Sequence, residues 1–190
     1  MNKKVCLLIA LTVICISNSF GQDNIRSYEI GSKNNTPQYV EFSNDGKRIA
    51  AGIYGAVRIW ETDSKKYEDY KTKLENEIPN FVFFSPDDKY IATGVYGAVR
   101  VWTIGSKNFV DYKNKYENST PAYICFSPDG KYIAAGVYGA VRVWNILSGD
   151  FIDYPAKHKN NTPEFVKFSP DNSFIVAGQF GEVRTWEIIK

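Results

Sequence analysis

The chain of 190 residues is predicted to be an all-β protein. Three observations carry this prediction. A repeat of 42 residues runs through most of the chain, each repeat holds short β-branched and aromatic runs between tight turns, and no segment has a helical apolar period of useful length. The contents of 44% hydrophobic and 15% aromatic residues indicate a folded chain, and the formal net charge of +2 excludes a basic nucleic-acid arm or an acidic tail.

The first 21 residues have the pattern of a secretory signal peptide. Lys3 and Lys4 precede an apolar run of about a dozen residues, which is shorter than the roughly 20 that a transmembrane helix needs. The small residues Ser19 and Gly21 stand third and first before Gln22. We therefore expect cleavage between Gly21 and Gln22, with a secreted or periplasmic product; an uncleaved anchor is the alternative.

The repeat keeps its spacing without insertion or deletion, and its units span about 35–72, 77–114, 119–156 and 161–190. Every tryptophan of the chain falls at one repeat position, and an arginine stands two residues before each. These structural repeat positions are Trp60, Trp102, Trp144 and Trp186, with Arg58, Arg100, Arg142 and Arg184. Such regularity predicts one supersecondary unit built four times.

Within the third unit, four strands follow one another. The apolar run 123–126 predicts an inner strand a that is buried on both faces, and Ser-Pro-Asp-Gly at 127–130 predicts a tight turn. Strand b is predicted over 131–136, and the β-branched and aromatic run 140–144 predicts strand c. A further turn leads to strand d over 151–154.

The phase of the repeat indicates how the chain closes. Strand d carries Tyr70, Tyr112 and Tyr154, and the same spacing leads back to Tyr28, whereas the fourth unit stops after strand c. A strand at about 24–30 is therefore expected to complete the last blade and to remove the open sheet edge. The prediction is a β-propeller of four-stranded blades, four per chain. The alternative is an eight-bladed ring made by a strand-exchanged homodimer.

Two segments of the third unit carry a family resemblance. Residues 126–136, Phe-Ser-Pro-Asp-Gly-Lys-Tyr-Ile-Ala-Ala-Gly, and residues 139–144, Gly-Ala-Val-Arg-Val-Trp, resemble blades of the WD-repeat family, and the likeness covers residues 22–190. The resemblance implies a WD40-like β-propeller that serves as a rigid platform for partner proteins, without catalysis.

The sequence departs from the family pattern at its polar network. The position of the family's Asp holds Tyr54, Tyr96, Tyr138 and Phe180, the Ser or Thr position holds Ala51, Thr93, Ala135 and Ala177, and no recurring His is present. Because a half-satisfied buried network is worse than an apolar one, we expect the blades to be held by apolar and aromatic packing around the tryptophans.

The four rings at the b–c turns have two interpretations. Tyr54, Tyr96, Tyr138 and Phe180 lie near one face of the ring and form a candidate ligand face. The favoured interpretation is that they fill space between blades. For the four arginines we likewise favour a structural use, in which they stack on aromatic rings or extend outward, over a shared anion site.

The sequence gives little support for a catalytic or metal-binding function. His158 is expected to be a solvated loop residue, Asp87 and Asp88 belong to a Ser-Pro-Asp turn, and Cys125 has apolar neighbours typical of a buried side chain. No catalytic, metal-binding or phosphate-binding motif is present. We expect no enzyme activity, no cofactor, no metal, no nucleic acid and no membrane span.

The function predicted from these features is an exported, non-catalytic scaffold that binds a protein or peptide on a propeller face. The alternative is a multivalent carbohydrate-binding propeller that uses the aromatic b–c turns, because equal sites suit repetitive ligands.

Overall fold

The computed structural model describes residues 25–31 and 36–188, and in these ranges the chain forms β-strands and no helix. The predicted signal peptide, 1–21, lies outside the described residues, so its cleavage stays a prediction. The described strands form four antiparallel sheets in sequence order, which confirms the all-β class and the repeat of blade-like units.

The strands of each blade follow the predicted order a, b, c, d. Blade 1 holds β1 (Val40–Phe42), β2 (Arg48–Ile53), β3 (Ala56–Glu61) and β4 (Tyr67–Lys71). Blade 2 holds β5 (Val82–Phe84), β6 (Tyr90–Val95), β7 (Ala98–Thr103) and β8 (Phe109–Lys113). Blade 3 holds β9 (Ile124–Phe126), β10 (Tyr132–Val137), β11 (Ala140–Asn145) and β12 (Phe151–Pro155). Blade 4 holds β13 (Glu164–Phe168), β14 (Phe174–Gln179) and β15 (Glu182–Glu187).

The a–b turns use the chemistry that the sequence predicts. In blade 2 the Ser85 hydroxyl donates to Asp87 at 2.7 Å and accepts from the Tyr90 amide at 2.9 Å. Asp88 accepts from the backbone amides of Asn44 and Asp45 of blade 1. The two neighbouring carboxylates are thus occupied by turn and inter-blade hydrogen bonds, as expected of turn residues.

The core lies between consecutive blades. Three apolar clusters occur, and each joins strands b, c and d of one blade to strand a and the tryptophan strand of the next. In the first cluster Val57 packs with Val82, Phe84 and Trp102. Burial of such side chains contributes roughly 1.5–3 kcal/mol each, so the junctions between blades carry much of the stability.

Blade 4 has three strands among the described residues, and the segment 25–31 forms no strand there. Closure of the ring by a strand at 24–30 is therefore not shown. The segment packs on blade 1, where the Tyr28 and Trp60 ring centroids lie 6.3 Å apart. Tyr70 of blade 1 meets Trp102 of blade 2 at 6.2 Å, so the segment takes the place that strand d of a preceding blade would have.

Candidate functional site

The repeated arginines are structural. The Arg100 guanidinium donates to both carboxylate oxygens of Asp111, at 2.6 and 2.8 Å, and lies 3.9 Å from the centre of the Phe109 ring. Blades 1 and 3 repeat this arrangement, with Arg58 on Asp69 and Tyr67 and with Arg142 on Asp153 and Phe151. Each of these three guanidinium groups thus lies over an aromatic ring while it pairs with a carboxylate.

Apolar and aromatic side chains pack between the blades, and at this position the structure adds an ion pair that sequence reasoning missed. A bidentate ion pair lies beside each buried tryptophan of blades 1 to 3, because a carboxylate recurs in strand d across from the arginine in strand c. The signal was the 42-residue spacing of Asp69, Asp111 and Asp153. In blade 4, Arg184 instead pairs with Glu182 on its own strand at 2.8 Å.

The b–c turns and the d–a loops lie at the same end of the blades. In blade 2 the Gly97 amide donates to the Ser119 carbonyl at 3.1 Å, and the Asn114 amide donates to the Gly97 carbonyl at 2.9 Å. Gly97 has φ +85°, and a Cβ there would lie 2.8 Å from the Glu117 carbonyl oxygen. Glycine is therefore required, and the loop backbone docks directly on the turn.

The four rings of the candidate ligand face are exposed, at 40% to 82% of their surface. The interpretation that Tyr54, Tyr96, Tyr138 and Phe180 fill space between blades is wrong. In blades 1 to 3 the physical reason is the docking just described: the d–a loop covers the turn glycine with its backbone, and the preceding ring stays outside. In blade 4 no described residue lies within 4 Å of a Cβ built on Gly181, next to Phe180.

The d–a loops add apolar side chains to this end, which the sequence reasoning missed. Leu74 and Tyr116 are exposed, and the Tyr116 ring meets the Tyr138 ring edge-on at 5.2 Å. His158 occupies the same repeat position and is exposed, as expected of a loop residue. The detectable signal was the 42-residue spacing of these three residues.

The same loops are basic. Six exposed lysines lie in the three described d–a loops or at the strand d residue just before them, namely Lys71, Lys73, Lys113, Lys115, Lys157 and Lys159. Fewer carboxylates stand among them: Glu75 and Glu117 are exposed, Glu182 pairs with Lys157 at 3.0 Å, and burial raises the pKa of Glu77. We call this surface the turn face, defined by the four b–c rings, Leu74, Tyr116 and the six lysines. It is positively charged on a chain that is nearly neutral.

The opposite end of the blades carries three grooves in repeat register. The first, between blades 1 and 2, has a volume of about 460 Å³ and is lined by Arg48, Glu61, Tyr67 and Glu68 among others. The grooves between blades 2 and 3 and between blades 3 and 4 measure about 220 and 190 Å³. The first groove therefore has a largely charged lining, whereas apolar and aromatic side chains make up most of the lining of the other two.

Reactive side chains are few in the described part of the chain. Burial raises the pKa of the Cys125 thiol to about 12, which agrees with an unreactive cysteine. Residues 25–31 and 36–188 contain no cluster of three His, Cys, Asp or Glu side chains that could hold a metal ion. Nor do they contain a helix of the length and apolarity needed to cross a membrane.

Sequential blade-like antiparallel sheets with a buried tryptophan in strand c define a class of repeat protein. Residues 119–145 match the family model described as WD domain, G-beta repeat, and this range holds the third unit from its d–a loop through strand c. The match supports assignment of the chain to the WD-repeat family. WD domains are in general non-catalytic scaffolds for protein interaction. No curated protein matches the chain.

Proposed function

We propose that the protein is an exported, non-catalytic scaffold that binds a protein or peptide partner on its turn face. The observation that supports this is the exposure of aromatic and apolar side chains at equivalent positions of successive blades, held by docked loops. Exposed aromatic side chains on a rigid framework are typical binding hot spots, because they bring large contact area at little entropic cost.

The partner's chemistry follows from the turn face. Tyr96, Tyr116 and Tyr138 offer ring surfaces for an apolar or aromatic side chain, and the surrounding lysines favour carboxylates. The partner is therefore an acidic segment with aromatic or aliphatic anchors. Its association rate falls with ionic strength, because the lysines are exposed and their charges are screened by salt.

The experiment compares matched variants in a pull-down from the exported fraction. Tyr96→Ala and Tyr138→Ala remove exposed rings on the turn face, and Leu147→Ala removes a side chain that is almost fully exposed at the opposite end. We expect the first two to weaken capture about tenfold or more and the third to leave it unchanged. Equal capture by all variants contradicts the assignment of the turn face.

A carbohydrate ligand is the second candidate. It is favoured by the exposure of one ring at the same b–c position in each blade, since equal rings suit stacking on a repetitive sugar chain. A glycan array with Tyr96→Ala as the control tests it. Binding that survives Tyr96→Ala or an array without signal at high protein concentration disposes of the candidate.

Export rests on the amino-terminal pattern and has its own test. Expression with the native leader and amino-terminal sequencing of the exported protein should give a mature chain that starts at Gln22. Retention of Met1 in a membrane fraction favours the uncleaved anchor.

A further inference from the structure

The chain contains the same blade-to-blade junction three times. A valine of strand c packs against the valine or isoleucine of the next strand a in each: Val57 with Val82, Val99 with Ile124, and Val141 with Val166. Each of these six residues has at most 1% of its surface exposed. The junction is therefore a well-defined interface with fixed partners on its two sides.

The two ends of the row of blades expose the two halves of a fourth junction. Val183, the strand c valine of blade 4, is 75% exposed, and Val40, its counterpart in strand a of blade 1, is 62% exposed. Phe42 beside Val40 and Phe165 in β13 are exposed as well. Each end thus presents an apolar surface that the other end complements in shape and position.

The ends also carry opposite charges at one repeat position. This strand a position holds Glu41, Phe83, Cys125 and Lys167 in the four blades. Side chains at this position reach the next blade: Glu41 accepts a hydrogen bond from the Phe84 amide at 3.3 Å, and the Cys125 sulfur accepts one from the Phe168 amide. At a fourth junction Lys167 would stand beside Glu41, so the charges at the two ends attract.

The missing strand d is also carried by the other end. Tyr28 donates to the Thr62 carbonyl at 3.0 Å, and Arg58 donates to the Glu29 carbonyl at 3.4 Å. Between blades 2 and 3 the equivalent bonds run from Tyr112 to Ile146 and from Arg142 to Lys113. The segment 25–31 thus makes the contacts on blade 1 that strand d of a preceding blade would make, although it belongs to no sheet. The sheet of blade 4, in turn, has no strand d among the described residues.

We propose that a second copy of the chain joins these ends, so that two chains form a closed ring of eight blades in which residues 25–31 of each chain pair with β15 of the other. Closure within one chain needs a quarter turn at every junction, whereas both ends of the row of blades are exposed in the single chain. A second copy offers each exposed end the partner surface that it lacks. Once one junction forms, the second is intramolecular and benefits from a high effective concentration.

The first measurement is the mass of the purified protein by light scattering over a range of dilutions. The mass of two chains, about twice 21.6 kDa less any cleaved leader, is expected. The mass of one chain at every concentration, or a series of open assemblies larger than two chains, overturns the proposal.

Variants in which one charge of the pair is reversed distinguish closure of the ring between two chains from closure within one chain. Glu41→Lys and Lys167→Glu each place like charges at both junctions of the ring, and each is expected to raise the dissociation constant tenfold or more. Mixing the two variants restores two-chain mass, because every junction of the mixed ring again joins opposite charges. Lys107→Glu, with the same charge change on an exposed loop residue outside the turn face, should leave the mass unchanged.

Two results overturn the proposal. In the first, the mixture of the two single variants stays at one-chain mass, while the double variant Glu41→Lys, Lys167→Glu behaves as the parent protein. The two charges would then meet within one chain and not between two chains. The second result uses Val183→Glu, which places a charge on the exposed apolar surface at the end of blade 4. If this variant and both single charge variants keep the full two-chain mass on dilution, the proposed junction does not hold the chains together. Circular dichroism of each variant establishes that the blades are folded, and Leu147→Glu is the matched control for Val183→Glu.

Discussion

Removal of a single carboxylate from a strand d should destabilise the protein far more than its partial exposure suggests. Arg100 is 8% exposed and Asp111 is 27% exposed, and two short hydrogen bonds join them. Asp111→Ala leaves the guanidinium buried without its counter-ion, which typically costs about 3–5 kcal/mol. Water can reach the vacated position in part, so the expected loss in unfolding free energy is about 2–3 kcal/mol.

Urea unfolding followed by tryptophan fluorescence measures this loss, at fixed protein concentration so that association does not contribute. The repeat supplies replicates, because Asp69→Ala and Asp153→Ala remove the same partner from Arg58 and Arg142 and should give losses of similar size. Asp63→Ala breaks an exposed ion pair with Arg26 and should change nothing measurable. A loss for Asp111→Ala as small as that for Asp63→Ala refutes the structural role given to the pair.

Three further predictions concern single positions. Gly97→Ala should cost about 2 kcal/mol more in unfolding free energy than Gly105→Ala, because both glycines have φ +85° but only the Cβ at Gly97 meets the docked loop; equal losses contradict loop docking. The Cys125 thiol, whose pKa burial raises to about 12, should resist a thiol reagent at about pH 8 in the native protein and react on unfolding; rapid native labelling contradicts its burial. Burial raises the pKa of Glu41 to about 7 in the single chain, where Tyr39, Asp88 and Tyr123 are titratable neighbours, and Lys167 of the second copy would lower it in the ring. A carboxyl pKa that is lower in the ring favours association as the pH rises, so the dissociation constant should fall between about pH 5 and about pH 8, and Glu41→Gln should remove this dependence.

The strands of the third unit could be predicted to within one or two residues, whereas the strand predicted at 24–30 is not formed by the described residues 25–31. Strand c was predicted over 140–144 and is found at Ala140–Asn145, and strand b was predicted over 131–136 and is found at Tyr132–Val137. This accuracy has a local cause, because turns that contain glycine or proline, with definite backbone requirements, separate the strands of the third unit. Four registered copies also turn each weak local signal into a repeated one.

The candidate face needed information that is not local. Whether Tyr96 fills a gap or faces solvent depends on where the loop around Glu117 docks, and the docking involves residues about twenty positions away. Arg100 pairs with Asp111 because the register of strands c and d places the two residues opposite each other. A polar residue in a single predicted strand gives no information about this register. Both features become predictable once the spacing of the loop and strand d positions is compared between units.

Blade 4 differs from the other blades at the arginine in a way that fits an added strand d from residues 25–31. The strand d carboxylates, Asp69, Asp111 and Asp153, have Ser27 as their counterpart in that segment. A completed blade 4 would therefore leave Arg184 without a carboxylate from strand d. Glu182 supplies one from the same strand, at the position where the other blades have Ala56, Ala98 and Ala140. Because a buried guanidinium without a counter-ion is strongly unfavourable, this paired change would compensate for the segment's serine in the proposed ring, where an added strand d would cover Arg184.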